Sequence, residues 1–267
     1  MLAFTIIIAL LGLALGSFAN CLIWRLYRQE KISGRSYCPR CSKQLFWYDN
    51  IPLLSYLFLR GRCRFCRERI SWQYPAVELA VALLFVFFWL QRLNFTYLDI
   101  DSLTVAVQSP YFWLGLGRDF LASWVLTVIL VFDLRFYLIS NLVVVPASLA
   151  FIIINLLLGT PWYLLIIMII SSVVFFGLQF IITRGRGLGE GDIWLGLLLG
   201  SLFSNGNYLI LAIFSAYMIG TVVGLGLILA GRKSWSSKLP LGVFLALGAL
   251  IALAWGPEFI SSYWTWF

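Results

Sequence analysis

Two sets of residues in this 267-residue chain have the types and spacing to do chemistry. The first is a pair of carboxylates. Asp133 closes the apolar run Phe120–Phe132, and Glu190 and Asp192 open the run Ile193–Phe203. Acidic residues in or beside membrane helices are expensive and mark functional sites. Two neighbouring carboxylates cannot both ionise cheaply, so they share a proton. Such a pair hydrolyses peptides: the ionised member takes a proton from water and the protonated one polarises the carbonyl. The second set is Cys38, Cys41, Cys63 and Cys66, two CxxC pairs separated by 21 residues. This spacing suits a structural four-cysteine zinc site, with an idle or redox dithiol pair as the alternative. Four thiolates leave no open metal position for substrate. Cys21, inside an apolar run, reads as a small apolar residue. The chain has no histidine, which removes Ser-His and Cys-His nucleophiles and HExxH metalloproteases.

The elements that must position these residues lie in a bilayer. Hydrophobic residues make up 62% of the chain and charged ones 11%, against roughly 25% charged in soluble domains. A membrane helix needs about 20 apolar residues, and the uncharged run Leu2–Trp24 meets this, too long for a signal h-region and without a basic start. Further runs at 77–90, 120–132, 142–158, 162–182, 193–203, 208–230 and 239–255 bring the expectation to eight spans. Basic residues mark cytoplasmic loops. If 25–75 is cytoplasmic, eight alternating spans place its eleven Lys and Arg on the same side as Arg135, Arg184, Arg186, Arg232, Lys233 and Lys238. Only Arg92 and Arg118 fall elsewhere, and both termini face outward. Orientation and anionic lipid account for the net charge of +8, with no nucleic acid partner required. The expected fold is therefore an all-α polytopic membrane protein of about eight transmembrane helices, with a small four-cysteine zinc-binding cytoplasmic domain between helices 1 and 2. Its parts are a first helix at 1–24, the zinc domain at 25–75 and a seven-helix protease domain at 76–267.

In this topology Asp133 and Asp192 sit at similar depth near the cytoplasmic interface. The alternating glycines that precede Asp192, with Gly189, Glu190 and Gly191 as its immediate support, let an extended peptide lie close to a helix end; a plain flexible turn is the simpler reading of glycines alone. A helix N-terminus favours an anion and a C-terminus disfavours it, so Asp192 is expected as the base and Asp133 as the acid, within a pair that titrates as a unit. Asp99, Asp101, Asp119 and Glu258 read as solvated loop or helix-end charges. Phe46, Trp47, Tyr48, Trp72 and Tyr74 give the zinc domain an interfacial character, compatible with docking a basic or amphipathic peptide.

With these residues assembled, the chain resembles the bacterial type IV prepilin peptidases (leader peptidase/N-methyltransferases) along its whole length. The resemblance is carried by Gly16-Ser17-Phe18-Ala19-Asn20 through Arg25, both Cys pairs, Asn50 to Tyr56, Leu59 to Cys63, Tyr74-Pro75-Ala76-Val77-Glu78, Gly189-Glu190-Gly191-Asp192 and Pro240-Leu241-Gly242. It implies a GxGD aspartyl protease of the bacterial inner membrane. Its catalytic pair would be Asp133 and Asp192, facing the cytoplasm. Substrates would be prepilins and pseudopilins, cut before their hydrophobic helix. N-methylation of the new terminus with S-adenosylmethionine is also implied. The chain departs from the family at Trp194, where Lys is common, at Ile139-Ser140-Asn141, where Ile-Pro-Asp is common, and at Tyr27, where Pro is common. No glycine-rich nucleotide loop marks a methyl-donor site. The competing reading from the residues alone is a non-enzymatic transporter or scaffold with a zinc-stabilised loop.

Overall fold

A computed structural model describes residues 2–96, 108–185, 187–232, 234 and 239–264. Asp99, Asp101, Arg186, Lys233 and Lys238, whose sides were expected from topology, lie outside these residues. The chain divides into two compact units, Met1–Ala106 and Val107–Phe267.

The first unit contains α1 (Leu2–Arg28), a 3-10 turn (Trp47–Asn50), the short α2 (Leu54–Phe58) and α3 (Gln73–Thr96). Helices α1 and α3 pack through Gly12 and Gly16. A Cβ on Gly12 would stand 2.6 Å from the Ala82 Cα, and one on Gly16 2.6 Å from the Glu78 Cα. Small residues four apart allow this approach, and in lipid close van der Waals contact is what holds helices together.

The second unit comprises α4 (Pro110–Phe136), α5 (Asn141–Leu157), α6 (Trp162–Thr183), α7 (Glu190–Leu202), α8 (Gly206–Leu229) and α9 (Leu241–Trp264). The core runs along α4 and α9, whose most apolar stretches are 61% and 56% buried, against 17% for the lipid-facing α6 and α8. Helix α7 is enclosed by α5, α6 and α9. It meets α6 through Gly196 and Gly200; a Cβ on Gly200 would lie 2.6 Å from the Ile169 Cα. The Ser172 hydroxyl donates to the Gly196 carbonyl at 2.7 Å across the same seam.

Among the described residues, eight helices of 13 residues or more stand where the sequence places spans. Six of them (α1, α3, α4, α6, α8 and α9) are long and apolar enough to cross a bilayer, and α5 is a shorter apolar helix of 17 residues. Helix α7, at 13 residues, is about 20 Å long, less than the hydrocarbon core of about 30 Å.

One expectation is corrected. Asp119 is neither a loop nor a helix-end charge: α4 starts at Pro110, nine residues before Asp119, which is only 7% exposed. Arg118, one of the two basic residues expected away from the cytoplasmic side, also lies within α4 and grips the Asp119 carboxylate through Nε and a terminal nitrogen at 3.1 and 2.9 Å. Pairing of the two charges is what allows them inside a span.

Candidate functional site

In the first unit the two CxxC segments fold as near copies. The Cys38 N–H donates to the Lys43 carbonyl and the Ser42 N–H to that of Cys38; the Cys63 and Arg67 N–H groups repeat the pattern with Glu68 and Cys63. Ser42 and Arg67 both adopt left-handed backbone, with φ of 56° and 60°. Isolated bridges Tyr37 to Gln44 and Arg62 to Arg69 close the two turns. All four sulfurs lie within 4.8 Å of one another, and those of Cys38 and Cys66 are 3.9 Å apart. A tetrahedral zinc with Zn–S bonds of about 2.3 Å needs sulfurs about 3.8 Å apart, so the cluster fits the metal. Burial raises the Cys38 thiol and works against a thiolate at Cys63, where the Cys66 and Phe65 N–H groups nevertheless lower the thiol to about 7, so the sulfurs differ in readiness to ligate. Arg64, inside the second pair, reaches Asp49 with Nε and a terminal nitrogen at 2.9 and 2.7 Å, tying the cluster to the 3-10 turn.

Where this domain joins the helices, motif residues scattered in sequence meet. The Asn20 amide donates to the Tyr74 carbonyl at 3.0 Å, and the Leu53 N–H donates to Glu78 Oε2 at 2.8 Å. The buried Arg25 guanidinium donates to the carbonyls of Ile32, Gly34 and Arg35. Residue types singled out only as parts of a motif are, in the fold, the bonds that set the domain on α1 and α3.

The second unit holds the carboxylates. Asp133 lies in the last turn of α4, which ends at Tyr137 in left-handed conformation with its N–H bonded to the Asp133 carbonyl. Asp192 is the third residue of α7. Both are buried, at 5% and 7% exposed, and both line one cavity of about 840 Å³. Its walls come from the loops α4–α5 (Tyr137, Ile139), α6–α7 (Gly187, Gly189) and the stretch before α9 (Leu239, Pro240), with Tyr217 and Gly220 from α8. These three connections therefore share one end of the unit, as an alternating topology requires.

Each carboxylate is held by a helix start. Asp192 Oδ2 accepts the Gly189 N–H at 2.9 Å, an N3 side chain reaching back to its N-cap. Asp133 Oδ2 accepts the Val243 N–H at 3.2 Å. Val243 is the third residue of α9, and its N–H is one of the donors a helix start leaves unpaired. The helix-end argument from sequence therefore does not separate the two acids, since a helix N-terminus favours the anion at both.

The glycine-rich approach is used unevenly. Gly185 takes φ +70° just after Arg184 ends α6, and a Cβ on Gly191 would lie 2.9 Å from that of Ile139. At Gly189, by contrast, an added Cβ would make only ordinary contacts, 3.9 Å from the Gly191 nitrogen and 4.0 Å from Asp192 Oδ2, and Glu190 is exposed at the first position of α7. Gly242 has a role that its Pro-Leu-Gly motif does not announce. A Cβ there would lie 2.7 Å from Asp133 Oδ2, so its lack of a side chain is what lets α9 donate to Asp133. Tyr217, absent from any motif, lines the cavity and donates its hydroxyl to Gln179 Oε1 at 2.8 Å.

A polytopic helical membrane protein with a buried carboxylate pair in one cavity and a separate four-cysteine cluster is the class these features define. Two protein-family models match the chain: the bacterial peptidase A24 N-terminal domain over residues 10–92 and the type IV leader peptidase family over residues 120–225. Proteins named prepilin leader peptidase/N-methyltransferase are similar throughout: that of Aeromonas hydrophila is 31% identical over 97% of this chain and 93% of its own length, and that of Bacillus subtilis (strain 168) 31% over 96% of each. The relative from Myxococcus xanthus (strain DK1622) is 34% identical over 86% of this chain and 65% of its own. No solved structure matches the chain. The chain belongs to the type IV leader peptidase family, and it is a membrane peptidase.

Proposed function

We propose that the chain is an aspartyl endopeptidase that removes the leader of type IV prepilins and pseudopilins at the cytoplasmic face of the bacterial inner membrane, with Asp133 and Asp192 as its catalytic pair. The observation that carries this is the burial of both carboxylates against one cavity in a chain of this family. The pair holds one proton. The ionised member removes a proton from water as its oxygen bonds to the scissile carbonyl carbon. The other gives its proton to the carbonyl oxygen; as the tetrahedral adduct collapses, the first carboxyl passes the proton it took from water to the departing amine nitrogen and the second takes back a hydroxyl proton, which restores the pair. Each carboxylate keeps one oxygen on a helix-start N–H, which leaves the other oxygen for water or substrate.

The boundaries 1–24, 25–75 and 76–267 fit a division of labour. Residues 25–75, with eleven Lys and Arg, would be folded by a structural zinc on Cys38, Cys41, Cys63 and Cys66, rest against lipid headgroups through their interfacial aromatics and meet the substrate. Gly189, Glu190 and Gly191 would shape the approach to Asp192. The N-methyltransferase part of the relatives' name supports a second activity here, methylation of the new N-terminus from S-adenosylmethionine.

The test is co-expression with a prepilin, reading leader removal by mass spectrometry. Wild type should cleave, and Asp133→Asn and Asp192→Asn, present at normal membrane levels, should not. Cleavage that persists in either variant rejects the pair; a product heavier by about 14 Da, the mass of one added CH2, marks methylation.

A further inference from the structure

The last turn of helix α7 is closed off from solvent: Leu198, Leu199, Ser201 and Leu202 are at most 1% exposed. A helix end leaves its last carbonyls without intrahelical partners, and buried carbonyls need donors from the protein.

The donors come from one side chain. The Asn155 amide, on α5 and fully buried, donates to the carbonyl of Ser201 at 2.8 Å and that of Leu202 at 3.2 Å. Its own Oδ1 accepts from an Arg118 terminal nitrogen at 3.3 Å. That bond fixes which way the amide faces: Oδ1 towards α4, NH2 towards α7. Arg118 is fixed in turn by Asp119, a pair whose side chains are 22% and 10% exposed. A chain of polar contacts thus runs from α4 through α5 to the end of the helix whose other end carries Asp192. At its other end α7 is less enclosed: Gly189 and Glu190 are exposed, while Gly191 packs on Ile139 of the α4–α5 connection. The seams with α6 and α9 set the lateral position of α7, and buried side-chain hydrogen bonds hold it along its axis: Ser172 on the Gly196 carbonyl midway and Asn155 at its end.

We infer that Asn155, oriented by Arg118 and Asp119, is a positioning residue for the carboxylate pair: it locks the axial register of α7 and so the depth of Asp192 relative to Asp133. This rests on the assignment of those two aspartates as the catalytic pair.

The discriminating variant is Asn155→Asp. It keeps the size and the acceptor for Arg118 but removes both donors and turns oxygen lone pairs towards the two carbonyls. Displacement of a catalytic group by about 1 Å costs on the order of 100-fold. Purified full-length N155D should lose about 10- to 100-fold in kcat on prepilin, with KM within about threefold, because substrate contacts are untouched. A merely structural role would lower the yield or thermal midpoint while each folded molecule kept its wild-type kcat, and that result overturns the inference. If N155D does not accumulate, Arg118→Lys replaces it. That change keeps a charge for Asp119 and leaves the Asn155 donors in place but loosens their aim, and a kcat within about twofold of wild type overturns the inference equally. Asp133→Asn and Asp192→Asn are measured alongside. If they still cleave, the paired-aspartate reading fails; if they are dead and N155D is normal, only the role of Asn155 falls.

Discussion

Asp133, one of the proposed catalytic pair, shows how little of a side chain's setting belongs to its own neighbours in sequence. It ends α4, but its oxygen is held by the third N–H of α9, more than a hundred residues later. Gly242 controls that contact. The atom nearest a Cβ added at Gly242 is the mobile Asp133 carboxylate at 2.7 Å, not backbone. Gly242→Ala is therefore relieved by swinging Asp133 off the Val243 N–H, at modest cost in stability. We expect cleavage to fall about 10- to 100-fold while membrane level and thermal midpoint stay close to wild type, since small misplacements at the reacting centre carry such factors. A comparison of kcat with melting temperature in detergent checks this; full activity would mean that the α9 donor is irrelevant.

Among the elements, the α6–α7 seam offers a controlled comparison. At Gly200 a Cβ meets backbone, the Ile169 Cα and Met168 carbonyl oxygen, both at 2.6 Å; at Gly177, also helical, nothing lies within 4 Å. Gly200→Ala should destabilise by about 1–3 kcal/mol through overpacking, and Gly177→Ala should be neutral or stabilise by up to about 1 kcal/mol through helix propensity. Thermal unfolding in detergent separates the two, and equal midpoints would contradict the seam. The four-cysteine domain is the other element with a sharp expectation. It covers about fifty residues, has only one 3-10 turn and one five-residue helix, and cannot fold on apolar burial alone. Cys63→Ser should reduce zinc from about one per chain to near zero and expose the 29–72 segment to trypsin, because the metal supplies the folding energy. Stoichiometric zinc in that variant would show the ligand set to be wrong.

For the whole molecule, the decisive property is sidedness. The connections α4–α5, α6–α7 and α8–α9 border the carboxylate cavity or its rim, whereas 158–161 and 203–205 join the opposite helix ends. In a Cys21→Ala background with zinc retained, an impermeant maleimide should label Arg232→Cys only when the cytoplasmic face is accessible. Thr160→Cys should be labelled only from outside. Labelling of both from one face would overturn the eight-span topology, including the crossing by the short α5 and α7. Helix α7 is enclosed by α5, α6 and α9 and does not have to satisfy the bilayer by itself.

Sequence alone determined the eight helices, the four-cysteine cluster, the family and the two candidate aspartates, because each is written in local terms: apolar run length, charge sidedness, a 21-residue spacing, a motif ending in Asp. Asp119 defeated it, because a charge between apolar runs reads as a helix end unless its partner is known, and Arg118 provides that partner only once α4 is seen to begin at Pro110. Only the tertiary structure decided what holds the carboxylates. The donors Gly189 and Val243 are backbone groups, silent in sequence, and Val243 arrives from another helix. The Asn155 contact with the end of α7 was equally illegible: an asparagine in an apolar run gives no sign of which carbonyls it will meet, since that depends on where a neighbouring helix stops.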